Sequence, residues 1–233
     1  MIRQQYQRVA EQVAEAAIRA GRAPEEVRLM AVSKTKPVEL IREAIAAGAT
    51  LLGENRVQEL SEKRPQLPPR EAGVAGCEVH MIGHLQSNKA AKAVQFADMI
   101  QSVDSVRIAR EISKACVSQG KDMPVLLEVN IGREDVKFGF LPEQVSEALE
   151  EIAGLPGIFV RGLMTIPPFL DDKTRTQQFF SQMMQLFIDI RGKKMDNISM
   201  DTLSMGMSDD FEEAIAEGST LVRVGSAIFG SRY

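Results

Sequence analysis

The sequence predicts an α/β protein built as a single (β/α)8 TIM-type barrel with an extra helix at its N-terminus. Three observations point there. β-rich runs and helical runs alternate eight times along the 233 residues, a rhythm that implies parallel βαβ units. Such a barrel typically takes about 250 residues, so almost nothing is left over and residues 1–233 read as one domain. No glycine-rich dinucleotide fingerprint marks an open doubly wound sheet, and closing the barrel leaves no edge strand to protect.

The elements follow in order. Val9, Val13, Ala16, Ala17 and Ala20 have helical spacing, and Gly21 and Pro24 stop that first helix. RLMAVSK (28–34) is the first strand, and PVELIREAIAAG (37–48) is a helix opened by proline and closed by glycine. TLLGEN and the helix VQELSEKR come next, then a Pro/Gly-rich loop over 65–76. VHMIG leads to the helix LQSNKAAKAVQFA, and DMIQSV to SVRIAREISKACVSQG. MPVLLEVNI is the fifth strand, before PEQVSEALEEIAG, and IFVRGLMTI is the sixth, before the long helix TRTQQFFSQMMQLFIDIRG. ISMDTLSMG with SDDFEEAIAEG, then TLVRVGS with the tail AIFGSRY, complete the eight.

Composition narrows the function classes. Hydrophobic residues make up 44% and charged residues 26%, as in soluble globular proteins. Twenty-eight basic against 32 acidic residues give a net charge of −4, which argues against a nucleic-acid-binding surface. No run approaches the roughly 18 apolar residues of a membrane span, and the charged N-terminus lacks a signal-peptide core. Cys77 and Cys116 have neither metal-like nor redox-like spacing and are read as reduced thiols. The expectation is a cytoplasmic protein, and a monomer.

In this fold, sites lie at the carboxyl ends of the strands. Met30, Val32 and Lys34 share one strand face. If that face lines the barrel, Lys34 projects into the mouth, where dehydration favours the neutral amine that attacks carbonyls. The plainer alternative is a strand-end lysine lying over an apolar stem with its head in water. The other end of the chain shifts the balance. LSMGMSDD and TLVRVGSAIFG end the last two strands with small residues, where barrels of this class commonly hold phosphate. Ser208 offers a hydroxyl, Gly225 a close backbone approach, Ser226 an amide and Arg223 a positive charge. Asp209, Asp210, Glu212 and Glu213 crowd the same place and must face away from an anion. A reactive amine and a phosphate cup in one mouth suit a phosphorylated aldehyde. Pyridoxal 5'-phosphate is the commonest in protein chemistry; a sugar phosphate in a class I aldolase-like reaction is the alternative.

AVSKTKP, GENRVQE, HMIGHLQSNK, RGLMTIP, LSMGMSDD and STLVRVGSAIFG, in that order, closely resemble the signature blocks of the YggS/PROSC family, the pyridoxal phosphate homeostasis proteins. The resemblance runs nearly end to end. It implies a barrel of the alanine racemase N-terminal-domain kind, without that enzyme's second β-domain. It implies pyridoxal phosphate held as a Schiff base on Lys34, with its phosphate on Ser208, Arg223 and the turn at Gly225 and Ser226. Asn55 and Met164 would lie against the cofactor, and Lys36 would be an electropositive neighbour and an alternative acceptor. The implied role is vitamin B6 and amino/keto-acid homeostasis, with pyridoxal-phosphate-dependent apo-enzymes as partners.

Two function classes are weighed. A racemase-like enzyme needs a base on each face of the bound amino acid, and only Tyr6 and Tyr233 supply tyrosine, both at the termini. It also needs an electron-poor ring, yet no carboxylate is placed against the pyridine nitrogen. A carrier needs only the amine, the cup and an open mouth. The carrier is favoured, no catalytic residue is assigned, and His80 and His84 are not read as a metal pair.

Overall fold

The computed structural model describes residues 1–69, 76–170, 172–193 and 195–230. The part of the predicted loop at 70–75 and the end of the tail, with Tyr233, lie outside the described residues. Eight parallel strands close in sequence order, β8 pairing back onto β1. They are β1 (Arg28–Val32), β2 (Leu51–Glu54), β3 (Glu78–Met81), β4 (Met99–Val103), β5 (Met123–Glu128), β6 (Ile158–Met164), β7 (Ile198–Ser204) and β8 (Leu221–Val224). Helices cover the outside: α1 (Ile2–Arg19), α2 (Val38–Ala46), α3 (Val57–Lys63), α4 (Ala90–Phe96), α5 (Val106–Gln119), α6 (Val145–Ala153), α7 (Lys173–Arg191), α8 (Phe211–Ala216) and α9 (Ser226–Phe229).

The strands are apolar runs because both faces are covered. Every residue of β2, β4 and β8 is buried. One face packs against the helices and the other fills the barrel. The helices bury stripes at helical spacing; in the added α1 these are Val9, Val13, Ala16 and Ala17, which pack against α2, α8 and α9. Helix ends follow local chemistry. Ser105 caps α5 by accepting a bond from the Ile108 amide at 3.4 Å, and Gly120, at φ 61°, ends it in the left-handed region. Asp172 caps α7 by accepting from the Thr174 and Arg175 amides. Cys77 and Cys116 are buried free thiols.

Several boundaries differ from the sequence reading. The first strand ends at Val32, because the Lys36 amide donates to the Ser33 carbonyl at 3.1 Å and turns the chain there. The helix expected over 85–97 begins as α4 at Ala90, after a single tighter turn (Ser87–Lys89). The helix expected over 208–218 is shortened to α8, since Asp210 spends its carboxylate on the Met207 amide at 2.6 Å.

Inside the barrel the packing is split. Met30, Val32, Leu51 and Leu221, with Ile82, form one apolar cluster, and Met99, Leu126 and Met164 form another. Both are distinct from the main core. Buried polar residues His80, Gln101, Ser204 and Arg223 also occupy the interior, and they have to satisfy one another there.

Candidate functional site

Lys34, Asn55, Ser208, Arg223, Gly225 and Ser226 line one cavity of about 410 Å³, within the range of roughly 300–1,000 Å³ usual for small-molecule sites. They come from the ends of β1, β2 and β8 and from the segment after β7. Val32, Ile82, Gly83, His84, Glu128, Phe138, Ile166, Met207 and Asp209 complete the lining. The walls at β2 and β3 approach each other closely. A Cβ on Gly83 would lie 2.2 Å from the Asn55 carbonyl oxygen, so only glycine lets Asn55 sit where it does.

Lys34 is carried on a tight turn after β1. Thr35, third in that turn, has φ 64°, a left-handed conformation that costs a β-branched residue on the order of 1–3 kcal/mol. The surroundings hold it there. The Thr35 amide donates to Glu59 Oε2 at 2.6 Å. Lys63 Nζ, one turn further along at the end of α3, donates to the Ser33 carbonyl at 2.9 Å, to Glu54 Oε1 at 2.9 Å and to Glu59 Oε2 at 2.8 Å. Ser33 Oγ donates to Glu54 Oε1 at 2.6 Å. Burial pushes the Glu54 carboxyl above its usual range against the bonds from Ser33 and Lys63. Burial also pushes Glu59 upward, but bonds from Lys63 and the Thr35 amide, with the Lys63 and Arg56 charges, bring it below the usual range.

The other end of the cavity is rich in donors. Ser226 Oγ donates to Ser208 Oγ at 3.0 Å, and the Gly225 amide donates to Ser208 Oγ at 3.4 Å. The crowded acids are largely engaged elsewhere. Glu212 pairs with Arg19 at 2.8 Å, Glu213 with Lys173 at 2.5 Å, and Asp210 caps the Met207 amide. Asp209 is exposed and remains on the lining. Two hydroxyls, a backbone amide and a buried guanidinium in one cavity fit a phosphorylated ligand.

Arg223 ends a chain of hydrogen bonds that crosses the barrel. Its Nη1 donates to Ser204 Oγ at 2.6 Å and its Nη2 to the Thr165 carbonyl at 2.8 Å. Ser204 Oγ donates to Gln101 Oε1 at 2.8 Å. Gln101 Nε2 lies 2.9 Å from His80 Nδ1, and His80 Nε2 lies 3.3 Å from Glu78 Oε2. Gln101 Nε2 can only donate, so His80 accepts at Nδ1 and carries its proton at Nε2, toward Glu78. Arg28 closes the far end with a bond to Glu78 at 2.7 Å. Every dipole thus runs one way, from Arg223 at the mouth to Glu78 at the opposite end. Burial lowers His80 and brings Arg223 down to about 10; the hydrogen bond from His80 and that from Arg28 hold Glu78 well below the usual carboxylate range.

Glu128 is the residue that sequence reasoning missed. It ends β5 and faces the cavity, where burial first and the Asp104 charge second push it to about 7 against the pull of Arg223. Its position at the end of a strand is the signal that could have found it. Asn130 organises its own loop, donating to the Glu134 carbonyl at 2.9 Å and accepting from the Glu134 amide at 3.1 Å. His84 stacks on Phe138, ring centres 3.5 Å apart, and bonds Asp104 at 2.8 Å, shaping the mouth. Among the described residues no three His, Cys, Asp or Glu side chains are grouped to hold a metal ion.

Two expected residues are placed elsewhere. Lys36 lines a separate cavity with Ile2, Leu40 and Phe229, and its Nζ donates to the Gly230 carbonyl at 3.3 Å. The turn after Val32 breaks strand alternation, so Lys36 does not follow Lys34 into the mouth. Met164 is fully buried in the interior cluster with Met99 and Leu126; the side chain that reaches the cavity is Ile166, in the segment just after β6.

Comparison with known proteins agrees with this architecture. The model of the alanine racemase N-terminal domain matches residues 5–233. The chain is 42% identical over 224 residues to the pyridoxal phosphate homeostasis protein of Escherichia coli (strain K12), covering 96% of this chain and 94% of that protein. The structure of PipY, the COG0325 family member of Synechococcus elongatus PCC7942, with pyridoxal phosphate bound, superposes with a TM-score of 0.79 at 36% identity, covering 94% of this chain and 100% of that one. A crystal structure of an unknown protein from Bifidobacterium adolescentis superposes with a TM-score of 0.91 at 38% identity, covering 98% and 94% of the two chains. The chain therefore belongs to the pyridoxal phosphate homeostasis protein family, on the barrel of the alanine racemase N-terminal domain.

Proposed function

We propose that this protein binds pyridoxal 5'-phosphate covalently through Lys34 and holds it for delivery to pyridoxal-phosphate-dependent apo-enzymes, as a monomeric, non-catalytic carrier in cytoplasmic vitamin B6 homeostasis. The observation that carries the reading is the convergence of Lys34, the Ser208 and Ser226 hydroxyls and Arg223 on one cavity. When bound, the cofactor supplies an aldehyde for amine capture and a ring able to take up electrons. Ser208, Ser226 and the Gly225 backbone hold its phosphate, and Asn55 lies along the wall. Arg223 presents a fixed positive charge, with two guanidinium nitrogens already committed to Ser204 and Thr165. His84 and Phe138 frame an open mouth through which cofactor can leave.

What the site lacks supports a carrier over a racemase. No tyrosine among the described residues lines the cavity; Tyr6 sits on α1, its hydroxyl donating to the Gly48 carbonyl at 3.2 Å. Weak racemase-like activity is the second reading, and Glu128 favours it, since a cavity carboxyl titrating near 7 can exchange a proton at neutral pH. Borohydride reduction of the loaded protein, followed by peptide mass spectrometry, tests the main reading. Label on Lys34, and loss of the visible absorption in Lys34→Ala, are expected; label on another lysine refutes it. Transfer to an apo-enzyme with α-proton exchange far below about 1 per second separates carrier from enzyme.

A further inference from the structure

We infer that Glu59, Lys63 and Glu54 act as positioning residues that clamp the turn bearing Lys34, and so set how fast its amine captures an aldehyde. This rests on Lys34 being the capturing amine. The peptide groups on either side of the Lys34 Cα are both gripped. Lys63 takes the Ser33 carbonyl of the peptide before it, and Glu59 takes the Thr35 amide of the peptide after it. Glu54, from β2, ties the two together through Lys63 Nζ and Ser33 Oγ.

Packing alone does not account for this arrangement. The side chains of Lys63 and Glu54 are 11% and 1% exposed, and burying charges here is costly compared with apolar residues of similar volume. Yet the charges are not spread over the helix–strand contact; their bonds converge on two consecutive peptide groups. The clamp also answers the conformation of Thr35. Position three of the turn needs a positive φ, where glycine is favoured. Here a threonine is held by a carboxylate on its own amide. With both flanking peptides fixed, the Lys34 side chain leaves the backbone in one direction, toward the cavity it lines.

Capture joins Lys34 Nζ to the aldehyde carbon, while the carbonyl oxygen leaves as water with the two amine protons. Misplacing the amine by about 1 Å slows such a step on the order of 100-fold. The phosphate cup is built from other elements and does not share the clamp. The test uses two ligands with the apo-protein. Pyridoxal 5'-phosphate reports capture, by stopped-flow absorbance. Pyridoxine 5'-phosphate, an alcohol in place of the aldehyde, reports noncovalent binding alone.

Glu59→Ala, which leaves Lys63 paired with Glu54, is expected to slow capture by roughly 10- to 100-fold. Its dissociation constant for pyridoxine 5'-phosphate should stay within about twofold of wild type. Lys63→Met should slow capture likewise. Adding Thr35→Gly to Glu59→Ala should restore most of the rate, since glycine takes the left-handed conformation unaided. Wild-type capture rates in Glu59→Ala, parallel loss of analogue binding, or no rescue by Thr35→Gly would each overturn the clamp. Capture by wild type at a lysine other than Lys34 would instead overturn the reading beneath it.

Discussion

Glu128→Gln should stabilise the apo-protein at alkaline pH and hardly change it in acid. In the native state this carboxyl titrates at about 7, against 4.5 in the ordinary state. The native form therefore binds the proton more tightly than the unfolded chain does. Its contribution to stability is fully present below about 4.5, declines as pH rises, and is lost once pH passes 7. At about 1.4 kcal/mol per pH unit, the interval corresponds to an upper figure of ~3 kcal/mol between pH 4 and pH 8. Local relaxation and water at the cavity reduce that, so about 1–2 kcal/mol is expected. Glutamine keeps the shape and carries no charge, so the penalty disappears. Urea unfolding of both proteins at pH 4.5 and pH 8 gives the difference directly. The variant should gain at pH 8 and match or fall slightly below wild type at pH 4.5. Equal differences at both pH values would show that Glu128 is not the titrating group.

Three further outcomes are expected. Lys36→Ala should keep the imine absorption of wild type, because its amine reaches the Gly230 carbonyl in another cavity; loss of the visible band would restore Lys36 as an acceptor. Gly83→Ala should destabilise the fold by about 2–4 kcal/mol in thermal or urea unfolding, because the added methyl meets the Asn55 carbonyl and two strand ends have to part. His80→Leu should cost about 1–3 kcal/mol, since it leaves the buried Gln101 amide without its acceptor and removes one of the bonds to Glu78, and an unchanged unfolding midpoint would contradict the relay.

Much of this protein could be read from the chain itself. Eight alternating β and helical patterns specify a closed barrel because apolar runs of strand length and amphipathic runs of helix length are local properties. Strand-end logic then placed Lys34, Ser208, Arg223, Gly225 and Ser226 at one mouth and the resemblance added Asn55, and these six line one cavity. Lys36 and Met164 came from the family resemblance, and the structure sets both outside the lining of that cavity, Lys36 because the chain turns before it and Met164 because it stays below the rim. The shortened α8 came from a carboxylate spent on a nearby amide.

What only the tertiary structure decided are relations between residues far apart in sequence. The bonds from Arg223 to Ser204, from Ser204 to Gln101 and from Gln101 to His80 join four strands, and no periodicity encodes them. The grip of Glu59 and Lys63 on the peptides beside Lys34 belongs to the same kind, as does the raised titration of Glu128. The physical reason is burial. A side chain's local pattern states which face it occupies, but its proton affinity and its partners depend on which charges and dipoles share the same dry space, and closing the barrel is what brings them there.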